Sequence, residues 1–192
     1  MPGRNRPWLL LACLLAAAPL RSQDSAPPEP KFKSYAPASG LFACEIPSSW
    51  SPVEEEDALG PVAHILGPDN PAGTFRTGLS VRWFEPGLPG FLDAKKAIDF
   101  LRRPDRALDR HATPVRPLRV SGLLGRSFEL FETRLLPLEQ LPASPEVIHH
   151  YVAVIPSGAG YYVIRLSSTR DVYLDFRDEF SRFLKNFQPL GR

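Results

Sequence analysis

Two adjacent histidines, His149 and His150, are the side chains in this sequence with the broadest chemical reach. Imidazole is both a proton carrier near neutral pH and the commonest metal ligand. They lie in an apolar run, Val147 to Ile155, that reads as a strand. Consecutive strand residues point to opposite faces, so His149 shares a face with Tyr151, and His150 with Ile148 and Val152. One ion cannot easily bridge such a pair. A zinc site would need a further ligand from His64, His111 or a carboxylate, which leaves weak metal binding as an alternative reading. Cys44 sits among alternating residues of another predicted strand and reads as a buried, inert thiol rather than a nucleophile. Arg102, Arg103, Arg106 and Arg110, with Arg116 and Arg119 close by in sequence, form a basic patch at the end of a predicted helix. Cations are favoured at a helix C-terminus. The functional reading of the patch is a contact surface for a phospholipid headgroup, a cell-wall polymer or an acidic partner.

Other charged groups say less. Glu54-Glu55-Glu56-Asp57 reads as a solvated acidic loop. Asp175 with Asp178, and Asp178 with Glu179, lie on the polar side of a predicted helix, without the burial that raised carboxyl pKa values require. Gly-x-Ser-x-Gly, His-Glu-x-x-His, a glycine-rich phosphate loop and Cys-x-x-Cys are all missing from the sequence. An enzyme would have to be assembled from dispersed residues, with His64, His111, His149 and Cys44 as its raw material. No cofactor is implied.

The compartment is set by the N-terminus. Arg4 and Arg6 precede an apolar run from Trp8 to Leu20, too short for a spanning helix, which needs about 20 apolar residues, and suited to a cleaved secretory signal. Residues 1–22 are therefore expected to be a signal peptide, cut after Ser22. Leu10-Leu11-Ala12-Cys13 also fits a lipobox, and lipidation of Cys13 is the one route by which the chain would be membrane-anchored. Cleavage removes Cys13 and leaves Cys44 alone, with no intrachain disulfide. It also removes Arg4, Arg6 and Arg21. The 23 basic side chains become 20 against 21 acidic ones, a net charge of −1, and no global argument for nucleic-acid binding survives. The chain is expected in a periplasm or outside the cell.

The elements that would position these residues form one domain. Residues 23–34 are polar and proline-rich and read as a flexible leader; residues 35–190 read as the domain. Strands are predicted at 41–46, 62–66, 77–84, 115–120, 125–135, 147–155 and 160–168, with turns at Ser121-Gly122 and Pro156 to Gly160. A helix is predicted from Phe91 to Arg103, ended by Pro104. A second, from Asp171 to Asn186, carries Val172, Phe176, Phe180, Phe183, Leu184 and Phe187 on one stripe, with Thr169 or Asp171 as its cap. Strand runs with a few amphipathic helices and no regular βαβ alternation indicate an α+β domain, an antiparallel sheet with helices covering one face.

The two ends of this domain resemble PsbP-like domains. Tyr35-Ala36-Pro37-Ala38-Ser39-Gly40-Leu41-Phe42 leads through a strand to Pro47-Ser48-Ser49-Trp50, where the family has a Tyr, a Gly-aromatic pair and a Pro-x-x-Trp turn; Leu41 between Gly40 and Phe42 is a departure. The Tyr161-Tyr162-Val163-Ile164 strand and the Phe-x-x-Phe-Leu-x-x-Phe helix ending at Phe187 are similar to the family's end. The resemblance, to PsbP and DcrB-like envelope proteins, implies a non-enzymatic domain that binds or stabilises protein partners. The expectation is an exported, non-catalytic binding or accessory protein. Its contact surface is expected at Arg102, Arg103, Arg106 and Arg110, on the sheet's open face, or around Trp50, Trp83 and Phe84.

Overall fold

The computed structural model describes residues 31–137 and 142–190. The signal peptide, its cut after Ser22 and Cys13 lie outside the described residues. The framework is a large antiparallel sheet. Along the chain come β1 (Phe32–Tyr35), β2 (Phe42–Pro47), β3 (Ser51–Asp57), β4 (Gly60–Asp69), β5 (Arg76–Phe84), α1 (Ala94–Leu101), β6 (His111–Ala112), β7 (Arg116–Val120), β8 (Leu123–Leu136), β9 (Ser144–Ser157), β10 (Gly160–Thr169), a 3-10 turn (Tyr173–Phe176), α2 (Arg177–Asn186) and β11 (Gln188–Pro189). The large sheet runs β3-β4-β5-β10-β9-β8-β6, with β7 also on β8; a small sheet runs β1-β2-β11.

The middle of the large sheet explains the rest. Every residue from Ile148 to Ile155 is buried, as are Gly160 to Ile164, so β9 and β10 are apolar on both faces and both need cover. One face packs on the small sheet and α2. Phe42, Cys44 and Ile46 of β2 meet Ile65, Val81, Ile155, Ile164 and Leu166, and Phe180, Phe183 and Phe187 close the layer. The phenylalanine stripe is thus core, and each such ring contributes roughly 1.5–3 kcal/mol of transfer free energy. On the other face, Ala97 and Ile98 of α1 pack on Phe128, Val152, Val154, Tyr161 and Val163. The two helices therefore lie on opposite faces, not on one as expected.

Other boundaries also move. The stretch read as a flexible leader ends early, because Phe32–Tyr35 pairs with β2. The acidic run is not a loop. It is β3, exposed along its whole length, paired to β4 from Ser51↔Leu66 to Asp57↔Gly60. An edge strand with no covered face shows no apolar alternation, and its charges protect the free edge. The first helix is shorter, starting where the Asp93 side chain accepts from the Lys96 N–H at 2.9 Å. The second begins as a 3-10 turn, and neither Thr169 nor Asp171 caps it. The turn at Ser121 (φ 48°) and Gly122 (φ 82°) has the left-handed pair that a tight hairpin needs.

Candidate functional site

The histidine pair is consumed by the fold. His149, on the α2 face, is fully buried, with its ring centre 4.4 Å from that of Phe131, 3.9 Å from Tyr173 and 4.7 Å from Tyr151. Its Nε2 lies 3.0 Å from Glu129 Oε2 and its Nδ1 has no hydrogen-bond partner. Burial pushes its pKa down to about 4 against the pull of Glu129. The ring is therefore neutral at ordinary pH, with Nε2–H donating to the carboxylate. His150 projects from the opposite face, as strand geometry requires. Its Nδ1 lies 2.7 Å from Ser167 Oγ, and its Nε2, 3.5 Å from Glu132 Oε1, has no hydrogen-bond partner among the described residues. Among the described residues no group of three or more His, Cys, Asp and Glu side chains could hold a metal ion.

The remaining raw material for catalysis is scattered. Cys44 is 5% exposed within the core, and burial pushes its thiol up to about 12, the reverse of an activated nucleophile. His64 lies on β4, 3.8 Å from Glu55, and His111 stacks on Phe131 at 4.9 Å. Neither of them hydrogen-bonds to Cys44 among the described residues.

The basic patch divides in two. Arg110 belongs to a buried cluster around Glu132, which is 2% exposed. Arg110 Nη2 is 2.7 Å from Glu132 Oε2, and Arg134 Nε is 2.5 Å from Oε1. Burial alone would raise the Glu132 carboxyl, but His150, Arg110 and Arg134 together hold it well below the usual carboxylate range. Arg102 donates to the Thr113 carbonyl at 3.2 Å and lies over the Phe128 ring. Arg103 and Arg106, in contrast, are exposed and have no carboxylate partner among the described residues; Arg103 lies over the Phe100 ring at 5.4 Å.

Trp50 and Trp83 do not form a surface. They are 4% and 7% exposed. Trp50 packs edge-on to Phe176 at 6.0 Å, under Gly67, and Trp83 packs on Tyr162 at 4.6 Å. Their apolar area is already spent against the α2 face.

Among the described residues a large cleft opens on the α1 face. The eight-residue α1 packs on β8, β9 and the Tyr161 and Val163 positions of β10, and the cleft opens beside it over β4 and β5. The cleft has a volume of about 890 Å³, within the usual size of ligand sites, roughly 300–1,000 Å³. Val62, Phe84, Tyr161 and Val163 form its floor, and Leu59 (41% exposed) and Phe100 (55% exposed) stand at its rim. Arg165 also lines it. This residue was missed in the sequence reading, although its signal is visible there: a single charge inside the apolar run Tyr161 to Leu166.

No family model matches the chain, and no curated protein matches its sequence. Solved structures do. PsbP of the cyanobacterium Synechocystis superposes with a TM-score of 0.52 at 16% identity, over 90% of this chain and 99% of that one. The Ran-binding protein Mog1p of Saccharomyces cerevisiae gives 0.50 at 11% identity, over 83% and 95%. A Bacteroides thetaiotaomicron protein gives 0.51 at 8% identity, over 83% of this chain and 48% of that one. At these identities the likeness is one of fold. The chain has a PsbP-like fold, dominated by antiparallel sheet.

Proposed function

We propose that this chain is an exported, non-catalytic accessory protein of the cell envelope that acts through protein contacts made by the outer side of α1. One observation carries the reading: Cys44, His149 and His150 are built into the core and His64 and His111 lie apart on β4 and β6, while Phe100 (55% exposed), Arg103 and Arg106 stand exposed at the α1 corner. An exposed aromatic flanked by arginines is the composition that dominates protein-binding surfaces. A partner with an acidic rim fits it. The Saccharomyces protein of similar fold is a Ran-binding protein, which supports the reading by analogy only. Among the described residues no helix is long and apolar enough to cross a membrane.

Two measurements test it. The intact mass of the exported chain should correspond to a start at Gln23; a diacylglyceryl Cys13 would replace a soluble protein by an anchored one. Reversing Arg103 and Arg106 to Glu should weaken capture of the partner at least about tenfold, with no change in thermal stability. Unchanged capture would remove the α1 corner from the account.

A further inference from the structure

Arg165 is a cation whose charge the fold does not use. It lies on β10, opposite Ser80 of β5 and Val152 of β9, and is only partly exposed. Among the described residues its guanidinium makes no hydrogen bond and no ion pair. The carboxylate that acts on it, Glu132, is already taken, since Arg110 holds one oxygen and Arg134 the other. Three guanidiniums thus share one carboxylate, and Arg165 is the one left over. Arg82, nearby on the same face, is not comparable. Asp57 grips it at 2.6 and 2.7 Å, and the Gly60 carbonyl accepts from it at 3.2 Å.

The strand register sets what lies around Arg165. His64, Ser80 and Arg165 form one row across β4, β5 and β10. The next row on the same face is Val62, Arg82 and Val163, and beyond it Phe84 faces Tyr161, their rings stacked at 5.1 Å. At about 3.3 Å per strand residue, the polar row and the aromatic row are roughly 13 Å apart. One end of the cleft is therefore cationic and hydrogen-bonding, and the other is apolar. Lys96 and Arg103 stand on the α1 side. Lys96 is already paired with Asp93, and Asp99 is the one exposed carboxylate among the lining residues.

We infer that this cleft binds a long-chain carboxylate, with its head on Arg165 and Ser80 and its alkyl chain along Val62, Val163, Phe84 and Tyr161. The head satisfies a guanidinium that burial disfavours, and the chain fills the part of the cleft that α1 leaves open above Val62 and Phe84. A detergent-like neutral molecule would satisfy the second need alone, and a free inorganic anion the first alone. The inference goes beyond the protein-contact reading: Phe100 and Arg103 stand at the cleft's rim, but the head site, Arg165 and Ser80, lies inside it, so Arg165→Met tests the ligand and the Arg103 and Arg106 reversals test the protein contact.

The test is calorimetric titration of the exported chain with dodecanoate below its micelle concentration, beside dodecyl maltoside, dodecyltrimethylammonium and inorganic phosphate. Dodecanoate should bind one to one, with each of the others at least about tenfold weaker. Arg165→Met should weaken dodecanoate roughly 10–100-fold and leave dodecyl maltoside unchanged. Ser80→Phe, which fills the polar end, should abolish the dodecanoate signal. A structural role for Arg165 makes the opposite statement about stability. If the residue is surplus, Arg165→Met melts at or above the wild-type temperature without ligand, because a like charge is removed from beside Arg110 and Arg134. The inference is overturned if the wild type does not bind dodecanoate, or if Arg165→Met binds it equally well. It also fails if maltoside or phosphate binds as tightly, or if Arg165→Met melts as low as a core substitution.

Discussion

Replacing His149 with Phe should flatten the acid sensitivity of this domain. The ring is fully buried between Phe131 and Tyr173, so a phenyl ring of similar size keeps the stack. Glu129, whose side chain is 34% exposed, can turn to water when its partner goes. The substitution should then cost about 1 kcal/mol at neutral pH, the net value of one hydrogen bond. The effect on pH dependence is larger. Burial lowers the His149 pKa from 6.5 to about 4. Between those values the unfolded chain carries a proton that the folded one rejects, so stability falls as the pH falls through this window. At about 1.4 kcal/mol per pH unit, the full loss is about 3 kcal/mol. His150, also pushed down by burial, acts in the same direction and remains in the variant. Glu132 is held low, so its contribution is lost mainly below the ordinary carboxylate pKa, beneath this window. Urea unfolding of both proteins at pH 7.5 and pH 4.5 reads the difference. The wild type should lose about 2–3 kcal/mol more than the variant between the two pH values. Parallel losses would refute the buried, neutral state assigned to His149.

Glu132→Gln should destabilise the domain by about 3–5 kcal/mol in urea unfolding at neutral pH, because Arg110 and Arg134 would lose the carboxylate between them. Gly160→Ala should cost about 1–3 kcal/mol by the same assay. A Cβ there would lie 2.2 Å from the Phe84 carbonyl oxygen and 2.6 Å from the Trp83 ring, and a backbone atom cannot step aside as a side-chain end can.

The sequence was informative where burial is one-sided or continuous. The alternation of Leu79, Val81 and Trp83, the apolar runs of β9 and β10 and the phenylalanine stripe of α2 all follow from a core that must be filled. The expected opposition of His149 and His150 follows from strand geometry alone. β3 was illegible because an uncovered edge leaves no apolar trace, and β1, β6 and β11 are too short to show a period. Trp50 and Trp83 were misplaced because a large aromatic carries the same letter in a core and on a contact surface. Arg110 and Glu132 meet across 22 residues of chain, a pairing that no local pattern encodes. Arg165 was within reach, since a lone charge in a buried strand calls for a partner and the strand register shows that none is adjacent.

The proposed function has this PsbP-like domain working through protein contacts made by the outer side of α1. Photo-crosslinking from position 100, with position 33 on β1 as the control, tests it most directly in an envelope fraction of the source cells. One discrete adduct is expected from position 100, absent from position 33 and lost when Arg103 and Arg106 are reversed to Glu. The same products from both positions, or an adduct indifferent to the two arginines, would contradict it.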